Sequence, residues 1–455
     1  MKDKIIACIL LISLGGNLCA ETVKGIFFPG IRTEYSIGGV QKNTGIQAME
    51  EQLSDAYRAF ASLGSQVVIG HSQGAYKALG YGNYLKEKGE GDKVKAIIAI
   101  GGPVRGFTPL VRGKDDLTRR IKNFYDIFGK GAASIVPIPY LSLAGPAISD
   151  AILKEKVFGG SDSRAFISHM ISSNPGDSSM VSDAVLADFM PNSTYLKDRI
   201  SPGIIPEQGH WAKVEVGRIT VPVIKVTGWF RFTIEWITIP IYKTVWVVDK
   251  PAEKIPRLPD DVPVGFIVGN QSNPFDLIES AYGFKRADAE KILEIFAGVM
   301  NISQTINEGL GVACEIAAIL YIWNIIVFLG YKVSAVGYYV NADNAREAAK
   351  LARNFPQRYN TDILLTNESD GFIPSPAQKW NPDELLFKPI GSNGTEWYIV
   401  YDVNHKTELE DGRIWGEGGN FDNPTDKGKV GEWLDSQRLF DWETSTRRYM
   451  EGPID

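Results

Sequence analysis

The chain has 455 residues, of which 44% are hydrophobic, and its formal net charge is -6 at pH 7. A chain of this length can form one large domain or two, with a sizeable core. The mildly acidic balance, without any block of Lys and Arg, excludes nucleic acid as the expected partner.

The first 20 residues have the pattern of a secretory signal. Two lysines precede an apolar run at residues 5–14, which is too short to span a bilayer. Cleavage after Ala20 predicts an exported protein that is periplasmic, on the cell surface or secreted. A lipoprotein anchored through Cys19 is the alternative. Cys314 is the only cysteine beyond this region and lies in an apolar run, so no disulfide framework is expected.

The next segments have the alternation of an α/β protein. β-Branched and apolar runs predict strands at residues 25–28, 67–69 and 94–100, and apolar residues three or four apart predict a helix within residues 44–63. Strands alternating with helices indicate a doubly wound, mostly parallel sheet. Chemistry is then expected at the carboxyl ends of its strands.

The chain is organised around the sequence G-H-S-Q-G at residues 70–74, directly after a predicted strand and directly before a predicted helix. In that context, G-x-S-x-G predicts a sharp turn that exposes the Ser72 hydroxyl as a nucleophile. Glycine on either side avoids a clash at the turn. The Gln73 N–H, at the start of the helix, is then directed at a developing oxyanion. A plain glycine-rich turn is the alternative.

A long insertion separates this motif from the end of the chain. Residues 220–227 are predicted to form a core strand, and the next convincing core strand is at residues 361–366. The intervening residues, 229–360, contain a β-like aromatic run, a proline-rich linker and helical segments, of which residues 311–329 are the most apolar. A single membrane span there would separate Ser72 from any downstream acid and base. An apolar cap with peripheral lipid contact is therefore favoured over a span, and a plain buried helix is the third reading.

The last quarter of the chain supplies candidates for an acid and a base. Glu368 and Asp370 lie in a loop after the predicted strand at 361–366, where a carboxylate can orient a histidine. His405 follows a predicted strand at 397–401. The order serine, acid, histidine is that of α/β-hydrolases.

The chain has only four histidines, so the base can be sought by elimination. His71 is next to the nucleophile and cannot turn back to serve it. His169 is in an apparent helix and is expected to make a packing contact. His210 lies in a predicted loop, where a surface or cap position is favoured, and it is the alternative base. His405 is therefore the preferred base.

Three stretches resemble bacterial triacylglycerol lipases of the α/β-hydrolase superfamily. V-I-G-H-S-Q-G-A resembles their nucleophile elbow, and I-G-G-P-V-R-G is similar to their I-G-T-P-H-R-G, although Val104 replaces the histidine. F-F-P-G-I resembles their oxyanion loop, which implies that the backbone N–H of Ile31 is the second oxyanion donor. An ordinary strand-to-loop turn is the alternative for Ile31.

The same resemblance extends to the acid and base loops. The stretch around Asp370 resembles the N-D-G-x-V loop of these lipases, which implies that Asp370 is the acid and leaves Glu368 as the runner-up. Asn404-His405 resembles the N-H pair that supplies their base. Many of these enzymes hold calcium through an aspartate two residues after the histidine. Thr407 occupies that position here, so no metal is carried over, and no cofactor is expected.

These observations predict a serine hydrolase that cleaves carboxylic esters of lipids or other hydrophobic acyl groups, with Ser72, His405 and Asp370 as the triad. Lipase, phospholipase, thioesterase and polyester depolymerase activities would share these residues. The alternative from another class is a catalytically silent lipoprotein that binds lipid or host partners. The expected organisation is a signal at 1–20, a hydrolase core at 21–228 and 361–455, and a cap at 229–360.

Overall fold

The structure is a computed structural model, and the chain divides into two compact units, residues 204–255 and all the rest. The predicted signal lies outside the described residues. The described residues are 23–31, 34–134, 158–160, 162–171, 181–200, 208–228, 231–250, 262–322, 324–379, 396–419, 428–436, 447–449 and 452–453.

The large unit is built on a six-stranded sheet in which every neighbouring pair is parallel. Eleven described strands are labelled in chain order: β1 Lys24–Phe28, β2 Glu34–Ile37, β3 Val40–Asn43, β4 Gln66–His71, β5 Val94–Ile100, β6 Gln208–Gly228, β7 Arg231–Lys250, β8 Val264–Asn270, β9 Glu396–Tyr401, β10 Arg447–Tyr449 and β11 Gly452–Pro453. The order in the main sheet is β10-β1-β4-β5-β8-β9, and β11, β2 and β3 form a small separate sheet. The mixed α/β class and the parallel sheet predicted from the sequence are therefore confirmed.

Helices alternate with the strands of the main sheet. The described α-helices are α1 Met49–Phe60, α2 Gln73–Glu87, α3 Lys114–Ala133, α4 Ser163–Ile171, α5 Asp183–Phe189, α6 Pro274–Tyr282, α7 Arg286–Leu320, α8 Ile325–Arg353, α9 Phe355–Arg358, α10 Gly412–Trp415 and α11 Lys429–Ser436. Single turns of 3-10 or π-helix occur at Gly91–Lys93, Thr108–Leu110, Leu196–Ile200, Tyr359–Leu364, Ser375–Ala377 and Thr407–Leu409.

The central strands of the main sheet are covered on both faces, which explains why β4 and β5 are almost continuously apolar. Val68 and Ile97 belong to the larger hydrophobic cluster, with helices α1 to α3, whereas their neighbours Val67 and Ile98 belong to a second cluster. Trp433 of α11 packs in that second cluster. Alternate side chains of one strand thus point into two separate cores.

The prediction of a core strand at residues 220–227 is wrong. These residues are part of β6, which pairs only with β7 in an antiparallel hairpin inside the small unit. The strand that follows β5 in the main sheet is β8, which lies within the stretch predicted to be the cap. Both segments are rich in β-branched residues, so local propensity could not decide which of them pairs with the sheet.

The predicted strand at residues 361–366 is also wrong, because the chain forms a π-helical turn at Tyr359–Leu364. The Asn360 amide donates to the carbonyls of Pro356 at 2.8 Å and Ser272 at 2.6 Å, which holds the turn. Leu365 then ends it with a φ of 56°. A short apolar run cannot be assigned to helix or strand by its pattern alone. The predicted strand near residue 400 is confirmed as β9.

The apolar stretch at residues 311–329 is the end of one helix and the start of another. The chain turns back between α7 and α8, which pack against each other as an antiparallel hairpin. Within the described part of the chain, α8 alone is long and apolar enough to cross a membrane, by length and composition only.

Candidate active site

Ser72 lies at a sharp turn between β4 and α2. Its backbone has φ 57° and ψ -123°, a conformation that a residue with a side chain rarely adopts. A Cβ on Gly70 would lie 2.1 Å from the carbonyl oxygen of Gly74, and a Cβ on Gly74 would lie 1.8 Å from that of Phe28. Both glycines are therefore required by close backbone approach, for the reason inferred from the sequence.

His405 contacts the Ser72 hydroxyl directly. The His405 Nε2 atom lies 2.9 Å from Ser72 Oγ, and both side chains are buried. His405 comes four residues after the end of β9. The Asn404 carboxamide oxygen accepts the N–H groups of Lys406 at 3.0 Å and Thr407 at 3.1 Å, which fixes the loop that carries the imidazole.

Asp370 contacts the other side of the same imidazole. Its Oδ2 lies 2.9 Å from His405 Nδ1 and also accepts the Gln378 amide at 3.0 Å. Its Oδ1 accepts the backbone N–H groups of Phe372 at 2.9 Å and Ile373 at 2.6 Å. Four donors around one fully buried carboxyl group match the ionised, acceptor-only form. Glu368, the runner-up acid, is exposed instead.

The acid loop is attached to the sheet although no strand leads into it. Gln378 accepts the Gly269 N–H of β8 at 3.0 Å, and the Ser375 hydroxyl donates to the Gly269 carbonyl at 3.1 Å. Asp370 is thus held at the carboxyl end of β8, while Ser72 and His405 follow β4 and β9. The three side chains meet at one edge of the parallel sheet, where ligands of such folds bind.

A second buried carboxyl group, Glu408, adjoins the triad and was missed from the sequence. Its Oε2 lies 3.2 Å from His71 Nε2 and 3.6 Å from His405 Nδ1. Burial, and then the charge of Asp370, raise the pKa of Glu408 well above its ordinary value of 4.5. The only signal in the sequence is that Glu408 follows His405 by three residues. That spacing does not distinguish a buried glutamate from an exposed one.

His71 belongs to the same network but does not serve Ser72 as a base. Its Nε2 lies 3.1 Å from the His405 carbonyl oxygen, and the two imidazole rings stack with centroids 4.9 Å apart. Burial and the neighbouring His405 lower the pKa of His71 well below 6.5. Burial therefore favours the uncharged forms of both His71 and Glu408, which pack against His405.

The other two histidines are His169 and His210. His169 stacks on Tyr282 in a packing contact, as the sequence predicts. His210 is in β6, within the small unit, and its backbone pairs with Val247.

An apolar pocket opens beside the Ser72 hydroxyl. Ile31 and Gln73, the predicted oxyanion donors, both line it with Ser72. An added Cβ on Gly30 would lie 3.3 Å from Ser72 Cβ, so the loop before Ile31 passes close to the nucleophile. The remaining lining side chains are all apolar: Pro103, Phe107, Ile167, Ile171, Phe189, Phe372 and Ile373.

Metal binding through this network would compete with the triad contacts. Ligand-type atoms of His71, His405 and Glu408 lie within 4.8 Å of one another. Both ring nitrogens of His405 already contact Ser72 and Asp370, so a metal bound to either nitrogen would displace one of these partners. The arrangement therefore favours proton transfer over metal ligation.

Comparison of the chain with protein-family models, with curated proteins and with solved structures found no significant match. The chemistry of the site is accordingly interpreted from its own geometry.

Proposed function

We propose that this protein is a serine hydrolase of the α/β-hydrolase fold that cleaves carboxylic esters with a hydrophobic acyl group. The observation that carries the proposal is the continuous contact chain from Ser72 Oγ through His405 to Asp370, with 2.9 Å at each step. A serine held at φ 57° directly before a helix adds independent support. A protein that only bound lipid would need neither the contact chain nor the strained turn.

The reaction proceeds by acyl transfer. Ser72 Oγ attacks the ester carbonyl carbon while its proton passes to His405 Nε2, and Asp370 stabilises the imidazolium that forms. The carbonyl oxygen becomes an oxyanion held by the backbone N–H groups of Ile31 and Gln73. The bond from carbon to the alcohol oxygen then breaks, and the leaving alcohol takes the proton from His405. Water, deprotonated by His405, attacks the acyl carbon and releases the acid and Ser72.

The lining of the pocket supports a substrate whose acyl group is hydrophobic. Its walls beside Ser72 consist of aliphatic and aromatic side chains, including Phe107, Ile167 and Phe372. A hydrocarbon chain loses its contact with water there and leaves no polar group unpaired. A charged or sugar-like acyl group would lose hydrogen bonds with water that these side chains cannot replace.

Hydrolysis of p-nitrophenyl esters of increasing acyl length tests the proposal. We expect measurable turnover, a rise in kcat/KM from acetate towards medium-length acyl chains, and a loss in Ser72→Ala of about 10⁴-fold or more. A fluorophosphonate probe should label the wild-type protein at Ser72 and leave Ser72→Ala unlabelled.

A matched control is Ser303→Ala, which removes a buried hydroxyl that donates to the Ser134 carbonyl at 2.8 Å and belongs to neither the serine turn nor the acid and base loops. It should retain the labelling. Equal background hydrolysis by wild type and Ser72→Ala, together with no labelling, would overturn the proposal and favour the catalytically silent lipid-binding protein.

A further inference from the structure

The hairpin formed by α7 and α8 extends beyond the part of it that packs on the protein. At its base, the Ser134 carbonyl accepts Ser303 Oγ at 2.8 Å and Asn307 Nδ2 at 2.9 Å, and Ala348 lies against Gly131 of α3. From Asn307 to the end of α7, about 20 Å of helix continues at 1.5 Å per residue. The distal part of the hairpin is therefore an arm held by a fixed base.

The end of this arm is apolar and exposed. The tip is defined here as residues 316–322 and 324–331. Its exposed large hydrophobic side chains include Leu320, 71% exposed, and Ile326, 80% exposed. The other exposed members are Ile316, Ile319, Tyr321, Ile322, Ile325 and Leu329. A soluble surface rarely carries so many adjacent apolar side chains unless it binds something.

The tip is also free of charge in its sequence. No Asp, Glu, Lys or Arg occurs between Glu315 and Lys332, and these two side chains approach each other across the hairpin at 3.8 Å. Between this ion pair and the end of α7, the helix extends about 8 Å. That length matches the depth of about 5–10 Å to which interfacial helices bury their apolar face in a bilayer.

We propose that the tip of the hairpin inserts into the interfacial region of a phospholipid bilayer and holds the protein at the membrane surface. The chain enters and leaves the tip on the same side, so Ser72 and His405 stay together in the large unit. This inference does not depend on ester hydrolysis, because it rests on contacts and exposure remote from the triad.

A bilayer is favoured over a protein partner by the composition and backbone of the arm. The most apolar window of α8 has a mean hydropathy of 1.3, and only 11% of it is buried. The backbone at the turn is largely satisfied internally, since the N–H of Tyr321 donates to Ala317 at 3.0 Å and that of Asn324 donates to Tyr321 at 2.9 Å. Asn324 also caps α8 through Val327. Each of these hydrogen bonds satisfies a backbone donor that lipid could not.

The C-terminal end of α8 packs in the protein core, which opposes a complete crossing of the membrane by this helix. Ala345, Ala348 and Ala352 are buried in the main hydrophobic cluster. Moving these residues into lipid would remove them from the core, so insertion is limited to the distal part of the helix.

Vesicle flotation tests the proposal with the full chain carrying Cys19→Ser, which removes any acyl anchor. The probe is vesicles of palmitoyl-oleoyl-phosphatidylcholine, which have no net charge. We expect binding that survives high salt, because it depends on apolar burial and not on headgroup charge. The double variant Leu320→Lys/Ile326→Lys should bind roughly tenfold more weakly or worse.

The matched control is Ile295→Lys/Ile302→Lys, which places the same charges at exposed isoleucines near the base of α7. It should bind like the parent protein, and thermal melts should show that both double variants remain folded. Equal binding by both double variants, or no binding by the parent, would overturn the proposal. So would a parent that forms dimers without lipid, dissociates with the tip substitutions and ignores vesicles, because the occupant would then be a second copy.

Discussion

At the residue scale, two buried carboxyl groups lie beside one imidazole in different surroundings. Asp370 accepts hydrogen bonds from two backbone N–H groups, Gln378 and His405, whereas Glu408 lies beside the neutral His71. Hydrogen-bond donors favour the ionised form of a carboxyl group, whereas burial favours the protonated acid. Burial has the largest effect on the pKa of Glu408, although the Gly269 N–H opposes it. These surroundings fit Asp370 as the group that orients His405 in the proposed mechanism, and Glu408 as a packing group whose uncharged form is favoured by burial.

Replacing Asp370 by Asn should lower kcat/KM by roughly 10³–10⁴-fold, because the amide cannot stabilise the imidazolium and its NH₂ would face other donors. The same clash should lower the Tm. Ester hydrolysis and a thermal melt measure the two effects. Retention of nearly full activity by Asp370→Asn would show that His405 does not depend on this carboxylate.

Replacing Glu408 by Gln should change kcat/KM only a few-fold, because burial favours the uncharged acid, which Gln resembles. Its raised pKa means that the folded protein binds more protons than the unfolded chain above pH 4.5, so this group destabilises the fold increasingly as the pH rises. The Tm of Glu408→Gln relative to wild type should therefore rise between pH 4.5 and pH 8. A constant Tm difference across that range would indicate that Glu408 is ionised in the folded protein.

At the scale of the element, helix α2 both presents the site and contains a buried lysine. Ser72 precedes its first residue, Gln73, and its side chains are buried almost all round. Lys77 has no exposed surface, and its Nζ lies 5.5 Å from the centroid of the Phe28 ring. Burial lowers the pKa of Lys77 to about 7, only partly opposed by Asp55. The helix therefore carries a group that destabilises it when charged.

Lys77→Met should stabilise the protein by about 1–3 kcal/mol at pH 6, because it removes a charge from an apolar site while keeping the side-chain length. The lysine penalty is complete below pH 7 and disappears as the pH rises towards 10.5, so the gain in Tm should be larger at pH 6 than at pH 9.5. The exposed Lys86 of the same helix offers a control, since Lys86→Met should change the Tm little at either pH. A gain that is equal at both pH values would contradict the account.

At the scale of the whole molecule, the sheet and the triad belong entirely to one unit. Every described strand of the six-stranded sheet lies outside residues 204–255, and so do Ser72, Asp370 and His405. The small unit is an antiparallel hairpin of β6 and β7. The main core is thus assembled without it.

Deleting residues 208–250 while retaining the segments on either side should leave a cooperative unfolding transition and kcat/KM for a short soluble ester close to the wild-type value. Circular dichroism melts and p-nitrophenyl acetate hydrolysis check this expectation. Loss of the transition would show that the hairpin stabilises the body. Loss of hydrolysis alone would show that it takes part in forming the site.

The sequence alone determined the local features of this protein. The turn at residues 70–74 could be predicted because close backbone approach requires glycine at fixed spacing, and strands β1, β4, β5 and β9 because their apolar runs are continuous. The order Ser72, Asp370, His405 was likewise available from residue types and the resemblance.

Only the tertiary structure decided which β-rich segment joins the sheet, how Asp370 reaches His405, and which further carboxyl group is buried beside them. Pairing between strands depends on partners far away in the chain, so β8 and residues 220–227 could not be separated by propensity. Asp370 is held against β8 by Gln378 and Ser375 across about a hundred residues. Charge, in turn, depends on burial and on donors that only the folded chain brings together.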